Sequence, residues 1–482
     1  MDTLGSPPWS MLCALGALLA ALWFAGRALA GAWLGPRRVA RALRSQGVRG
    51  TSYRFPSGDM KEYVRLLAAA CSQPMPLSSH AVAARAVPFD HAIIKQHGKV
   101  ALTWFGSEPR VVVADPQLFR EILSSKQGQF GKQRSILGIE RLLANGLTTH
   151  RRIINHAFHL EKLKRMLPAF ADCSSELVRR WGSFMGPGDA QEIDVWSEFQ
   201  NLTGDVISRV AFGSSFSEGR TIFRLQSEQA HNAVKMANVM YIPGYRFLPT
   251  KLNRRMKANA REVEVLLKGI IMKRERAMKD GYADNNDLLG VMMESNIKES
   301  QEAGSSKPMM TIDDIDRARE EVLRVFGNNQ PDFEGINRLK VVTMILHEVL
   351  RLYPPILLLG REAYRETELG GVTYPAGVTF ALPIVCIHHD PDVWGEDVDE
   401  FKPKRFAEGI AGASKNSPAF FPFGWGPRIC VGQNFALLEA KMGLSVILQH
   451  FLFELSPSYT HSPCPVSTLQ PQHGSQIMLT KL

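Results

Sequence analysis

Cysteine is scarce in this chain: six in 482 residues, at positions 13, 71, 173, 386, 430 and 464, with no C-x-x-C and no repeated spacing. Neither a disulfide scaffold nor a zinc site is indicated, and a reducing compartment is the natural reading. Internal repeats and collagen-like or disordered composition are also missing. No long Lys/Arg block occurs, and 57 basic against 47 acidic residues leave a formal charge of +10 spread along the chain. That distribution speaks against nucleic acid and for an anionic membrane or an acidic partner. What is present is apolar bulk: 45% hydrophobic residues, enough for a large core in one domain or two.

Trp9 to Gly26, WSMLCALGALLAALWFAG, is 18 residues without a charge. As a helix it would be about 27 Å long, close to the roughly 30 Å hydrocarbon core of a bilayer. A cleaved signal peptide calls for a charged start and a small-residue cleavage site. This segment follows Asp2 and precedes Arg37, Arg38, Arg41, Arg44 and Arg49. The basic side stays cytosolic, which predicts an uncleaved single-pass anchor within residues 1–36 and a cytosolic domain over 37–482. The sequon Asn201-Leu-Thr203 is then silent.

VALTWF and RVVVAD around Gly106-Ser-Glu-Pro109 predict a β-hairpin, and a helix starts near Pro116. From there to about residue 327 the pattern is helical. Leu160, Leu163, Leu167 and Phe170 share a face, as do Leu202, Val206, Ile207 and Val210, and later Val263, Leu266 and Ile270; such stripes form core. The basic stretch Asn253 to Lys279 predicts a solvated helix face. Ile312–Phe326 is bounded by Thr311 and Gly327, and eight of its fifteen residues are charged, so a solvated amphipathic helix is expected there. After Tyr353-Pro354-Pro355 come short strand signals (GGVTYPAG, VTFALPIV), one strong helix from about Gln433, and a strand-like end, QIMLTKL. The fold class expected is mainly α with small β-sheets.

Phe421 to Ala436 reads FPFGWGPRICVGQNFA. A single cysteine, Cys430, sits in a glycine-rich loop that runs into a helix with Phe435, Leu438, Met442 and Val446 on one face. A thiolate held beside a metal needs backbone N–H donors and a helix N-terminus. Gly424 and Gly426 let the backbone bend under a flat ring, Gly432 lets the helix begin close by, Phe423 shields the sulfur, and Arg428 offers a cation to an acid.

FGWGPRICVG resembles the cytochrome P-450 signature F-x-x-G-x-R-x-C-x-G at every defined position: Phe423, Gly426, Arg428, Cys430 and Gly432. HEVLR, with Glu348 and Arg351, and Arg405 in FKPKRF resemble the family's Glu-Arg-Arg cluster. Arg361 in LLLGREAYRE matches an arginine that members use on a haem propionate. His388-His389-Asp390 is read as structural. RSQGVRGTSYRF, FHLEKLKRMLPAF, QNLTGDVISR and PSYTH are most like the plant clan that includes secologanin synthase. The resemblance implies a haem-thiolate monooxygenase on the cytosolic face of the endoplasmic reticulum membrane. Haem b (heme) would be bound through its iron by Cys430, the substrate would be a hydrophobic small molecule of terpenoid type, and electrons would come from NADPH through a reductase.

Two family elements have no counterpart. The long central helix with A-G-x-[DE]-T-T, whose acid and hydroxyl deliver protons, should part MTIDD from DRAREEV, which here abut as MTIDDIDRAREEVLRVFG. A W-x-x-x-R element should follow GLTTH; Arg151 matches its arginine and Leu147 stands where the tryptophan should be. Both read as clean excisions from an incomplete P-450 fold: a splice form, a faulty gene model or a decayed copy. A non-catalytic, membrane-anchored relative is therefore the alternative expectation, and no catalytic residue is assigned.

Overall fold

The structure, a computed structural model, describes residues 9–125, 128–132, 155, 158–186, 188–212, 216–237, 248–279, 312–466 and 468–482. Leu147, Arg151 and Thr311 lie outside the described residues. Helix α1 spans Trp9–Leu29, and Leu15, Leu18, Leu19, Leu22 and Trp23 on it stand exposed. Among the described residues no helix is long and apolar enough to cross a membrane; the side chains at 9–12, 24, 25, 28 and 29 are outside the description. A five-residue π-helical turn, Ala30–Leu34, leads into α2 (Gly35–Arg44), which buries Pro36, Ala40 and Leu43 and turns Arg37, Arg38, Arg41 and Arg44 outward. Helix α3 covers Met60–Cys71.

The strands used below are β1 (Arg49–Gly50), β2 (Val100–Phe105), β3 (Glu108–Val113), β4 (Phe130–Lys132), β5 (Ala190–Asp194), β6 (Leu358–Ala363), β7 (Thr379–Pro383), β8 (Phe451–Leu455) and β9 (Gln476–Lys481). The main sheet runs in the order β1-β2-β3-β7-β6-β4, and a second one runs β8-β9-β5. β2 and β3 form the expected hairpin, but its turn is only Gly106 and Ser107, with Phe105 opposite Glu108. Gly106 takes φ +61°, as such a short connection requires. Pro109 therefore belongs to the strand. The strands β4 and β5 also interrupt the region read as wholly helical: a short AQEID run pairs with β9, a tertiary partnership without a local signal.

Seven further helices carry the site: α4 (Pro116–Ser124), α5 (Leu160–Gly182), α6 (Val195–Phe212), α7 (Phe216–Ala237), α8 (Lys251–Lys279), α9 (Ile312–Phe326) and α10 (Val341–Leu352), followed by α11 (Gln433–His450). Asp115 starts α4, its carboxylate accepting from the N–H groups of Gln117 and Leu118. Leu163, Leu167 and Phe170 of α5, Val206 and Val210 of α6, and Phe435, Leu438, Met442 and Val446 of α11 share one core cluster with Ala318, Val322 and Phe326 of α9. The sequon lies inside α6, where the Thr203 hydroxyl donates to the Phe199 carbonyl at 2.9 Å. The helix α9 matches its predicted bounds but is not solvated all along its charged side. Glu321 is buried, and its carboxylate accepts from the Lys340 and Val342 N–H groups at 2.7 and 3.2 Å, satisfying the start of α10.

On α10, Glu348 and Arg351 are both fully buried. Arg351 places all five guanidinium donors: two on Glu348 at 2.7 and 2.8 Å, and the others on the carbonyls of His388, Val398 and Glu400 at 2.9, 2.7 and 3.3 Å. Glu348 also accepts from the Lys402 N–H at 2.9 Å and lies 3.4 Å from Arg405 Nε. Removing the carboxylate leaves a buried cation without its partner, so Glu348→Ala should lose about 3–5 kcal/mol. An unchanged midpoint in chemical denaturation would show that this pairing does not hold the fold.

Candidate functional site

The loop Phe421–Gly432 is held from both ends. The Phe421 ring stacks on Phe119 of α4, centroids 4.5 Å apart and planes at 20°. The Phe421 N–H donates to His388 Nε2 at 2.9 Å. Further on, the Gly424 N–H reaches the Phe421 carbonyl at 2.9 Å and the Cys430 N–H reaches the Phe423 carbonyl at 2.8 Å. Between them Gly426–Arg428 makes one 3-10 turn. Gly424 and Gly426 adopt φ +78° and +70°, and a Cβ on Gly426 would sit 2.5 Å from the Leu123 carbonyl at the end of α4. Only glycine combines that conformation with that approach. Gly432 differs: its φ is −88° and a Cβ there would meet Phe158 at an ordinary 3.8 Å. Neither space nor backbone explains a glycine at 432.

Cys430 is an exposed free thiol, whereas Cys173 is buried and burial raises that thiol to about 12. Helix α11 starts at Gln433 with Gly432 at its N-cap, a residue with no side chain to cap the first turn, so the positive end of its dipole lies next to the segment that carries Cys430. Arg361 comes in on β6, opposite Phe380 of β7. Burial, and then the neighbouring charge of Arg428, push its guanidinium down to about 10. Among the described residues its hydrogen bond goes to the Gly360 carbonyl at 2.8 Å. Two cations that repel each other, with no carboxylate shown between them among the described residues, suit a ligand with an acidic edge. Among the described residues no cluster of three or more His, Cys, Asp or Glu could hold a bare metal ion. A haem held through its iron at Cys430 would bring its other iron ligands with it, and its two propionates suit the cations at Arg361 and Arg428.

The cytochrome P450 family profile matches residues 74–316 and 309–478. This chain belongs to the cytochrome P450 family. Relatives include cytochrome P450 CYP72A616 of Paris polyphylla, 54% identical, with 98% of this chain and 99% of the relative covered. Cytochrome P450 72A397 of Kalopanax septemlobus is 45% identical over 93% of this chain and 94% of its own. The 7-deoxyloganic acid hydroxylase of Catharanthus roseus is 43% identical over 96% and 97%. The chain is a plant cytochrome P450 of the CYP72 clan. The Paris alignment runs over 515 positions, more than this chain's 482 residues, so that relative carries segments this P450 lacks. The two profile matches meet over 309–316, at the start of α9.

The structure thus brings Phe423, Gly426, Arg428, Cys430 and Gly432 onto one loop and Arg361 beside Arg428. Two contributors escaped the sequence reading. Gly426 abuts Leu123, and Arg120 of α4 stands over the Trp425 ring, 5.1 Å from its centroid; the pattern around Pro116 marks a helix but not its neighbour. His388, read as structural, turns out to brace the loop: Nδ1 faces the Arg351 carbonyl at 3.2 Å while Nε2 accepts from Phe421. Complete burial drives its pKa down to about 3. The folded chain refuses a proton that the unfolded histidine accepts near pH 6.5, so this contribution is full above that value and drains away as pH falls towards 3. The stability of the parent should decline between pH 6.5 and 4.5 more steeply than that of His388→Gln, measured by urea unfolding. Parallel curves would remove His388 as the group responsible.

Proposed function

We propose that this P450 is a membrane-bound haem-thiolate monooxygenase oxidising a hydrophobic small molecule, a terpenoid-like plant metabolite being the substrate class. The observation that carries the proposal is the Cys430 loop, with its two left-handed glycines and exposed thiol, next to the mutually repelling Arg361–Arg428 pair. Cys430 would hold the iron, Arg361 and Arg428 the propionates, and Phe423 the position of Cys430 through its carbonyl. When bound, the haem supplies reduction of dioxygen and insertion of one oxygen atom into the substrate. Around it, the bond from the Cys430 N–H to the Phe423 carbonyl holds the backbone that carries the sulfur, and the stacked Phe119–Phe421 pair anchors the loop. NADPH would act indirectly, through a reductase partner. In Cys430→Ala, haem content measured as the pyridine haemochrome should fall to background. Equal haem in variant and parent would defeat the thiolate assignment.

A second reading concerns competence, and the 515-position alignment and the divided profile match support it. Without an A-G-x-[DE]-T-T helix, no Asp, Glu, Thr or Ser in MTIDDIDRAREEV would have the apolar helical setting of a distal proton donor. This chain would then be a non-catalytic, membrane-anchored relative, through splicing, a gene-model fault or decay. Given haem and reductase, it should oxidise substrate at about a hundredth or less of the rate of a version carrying that helix between Ile315 and Asp316 and a W-x-x-x-R element before Arg151. Equal turnover of the two would show another proton path.

For location, the outward arginines of α2 and the exposed leucines of α1 support an N-terminal anchor in the endoplasmic reticulum membrane, with residues 37–482 in the cytosol. Deleting residues 1–36 should move the protein from the microsomal pellet towards the supernatant. Glycosylation of Asn201 in microsomes would reverse the topology.

A further inference from the structure

Cys71 ends α3, and Cys464 lies in a hairpin formed by Pro463–Pro465 and Leu469–Pro471. They are 393 positions apart, yet their sulfurs are 3.3 Å from each other. The juxtaposition is built by a third residue. Arg85, 6% exposed, donates to the Pro463 carbonyl at 2.7 Å, to the Ala70 carbonyl at 2.7 Å and to the Gln73 carbonyl. It also reaches Gln472 Oε1 at 3.4 Å. One buried guanidinium thus grips the backbone immediately before each cysteine, so the two segments arrive in register. The Met75 N–H, donating to the His461 carbonyl at 2.7 Å, adds a second tie between the same segments.

We propose that Cys71 and Cys464 are a redox-responsive dithiol, which a small-molecule disulfide such as glutathione disulfide converts into a cross-link fastening the C-terminal hairpin to the end of α3. The hydrogen bond offered by Cys464, with help from the Arg85 charge, lowers the Cys71 thiol to about 7, while Cys464 is raised. Cys71 is accordingly the attacking thiolate and Cys464 the proton holder. The Cys71 sulfur attacks one sulfur of the oxidant, making a mixed disulfide and releasing one thiolate. Cys464 then passes its proton to that thiolate and attacks Cys71, expelling the second half of the oxidant as its thiolate. Two electrons leave the cysteine pair and reduce one disulfide to two thiols, one as thiol and one as thiolate.

The test uses the full-length chain in glutathione buffers of rising oxidised fraction, quenched by alkylation and mapped by mass spectrometry without reduction. A peptide joining 71 to 464 should accumulate and disappear again in excess reduced glutathione. Amides of the two hairpin strands should exchange more slowly in the oxidised chain. At pH 7 iodoacetamide should label Cys71 before Cys464. In Cys464→Ser the reaction should stop at the glutathione adduct of Cys71, with circular dichroism confirming that the variant is folded; if it is not folded, the mapped cross-link in the parent still decides. The proposal falls if the folded parent, in fully oxidised buffer, yields only glutathione adducts, no modification, or cross-links from Cys71 to another cysteine.

Discussion

A guanidinium sealed from water must be neutralised and hydrogen-bonded where it stands, and Arg351 is the group on which the rest of the molecule is arranged. Its five donors meet five acceptors: both oxygens of Glu348 and three backbone carbonyls from the segment 388–400. Trp394 adds a ring 5.4 Å beneath the charge. The Val398 and Glu400 carbonyls belong to chain outside helix and strand, so the buried charge helps give that stretch its shape. The Arg351 carbonyl faces His388, whose other nitrogen accepts from Phe421. A continuous polar chain therefore runs from the interior of α10 to the loop that presents Cys430.

At that loop the demands on the backbone are steric and electrostatic at once. Gly426 lies so close to Leu123 that a side chain cannot be accommodated, which seats the loop on α4 and leaves the thiol outward. Arg361 and Arg428 are kept near one another although burial and like charge both oppose it. A negatively charged group bound between them would relieve that repulsion. The same arrangement accounts for the difference between the thiols at 430 and 173, one exposed on a hydrogen-bonded loop and the other enclosed in apolar core.

The core of α5, α6, α9 and α11 is built from the stripes visible in the sequence, and it is the part of a P450 against which a central helix would be expected to pack. The Paris relative aligns over more positions than this chain has residues, and the two profile matches meet just before α9. The Cys430 loop rests on α4 and on His388, which the Arg351 carbonyl of α10 faces, and so draws none of these supports from the junction between MTIDD and DRAREEV.

Much of this was legible from the residues alone. The bounds of α9, the start of α11, the hairpin of β2 and β3, the core stripes and the family all follow from local periodicity, caps and short motifs, whose information lies within a few residues of each position. Composition and spacing could not reveal relations between distant segments. The strand at Ala190–Asp194 exists because β9 pairs with it, and Glu321 is buried because the first turn of α10 needs acceptors. His388 braces a loop 33 residues away, and the sulfurs of Cys71 and Cys464 meet because Arg85 binds both of their neighbours. Sequence sets which groups can donate, accept or be buried; tertiary structure decides which of them meet, since burial of one partner's charge or N–H makes the other's position obligatory.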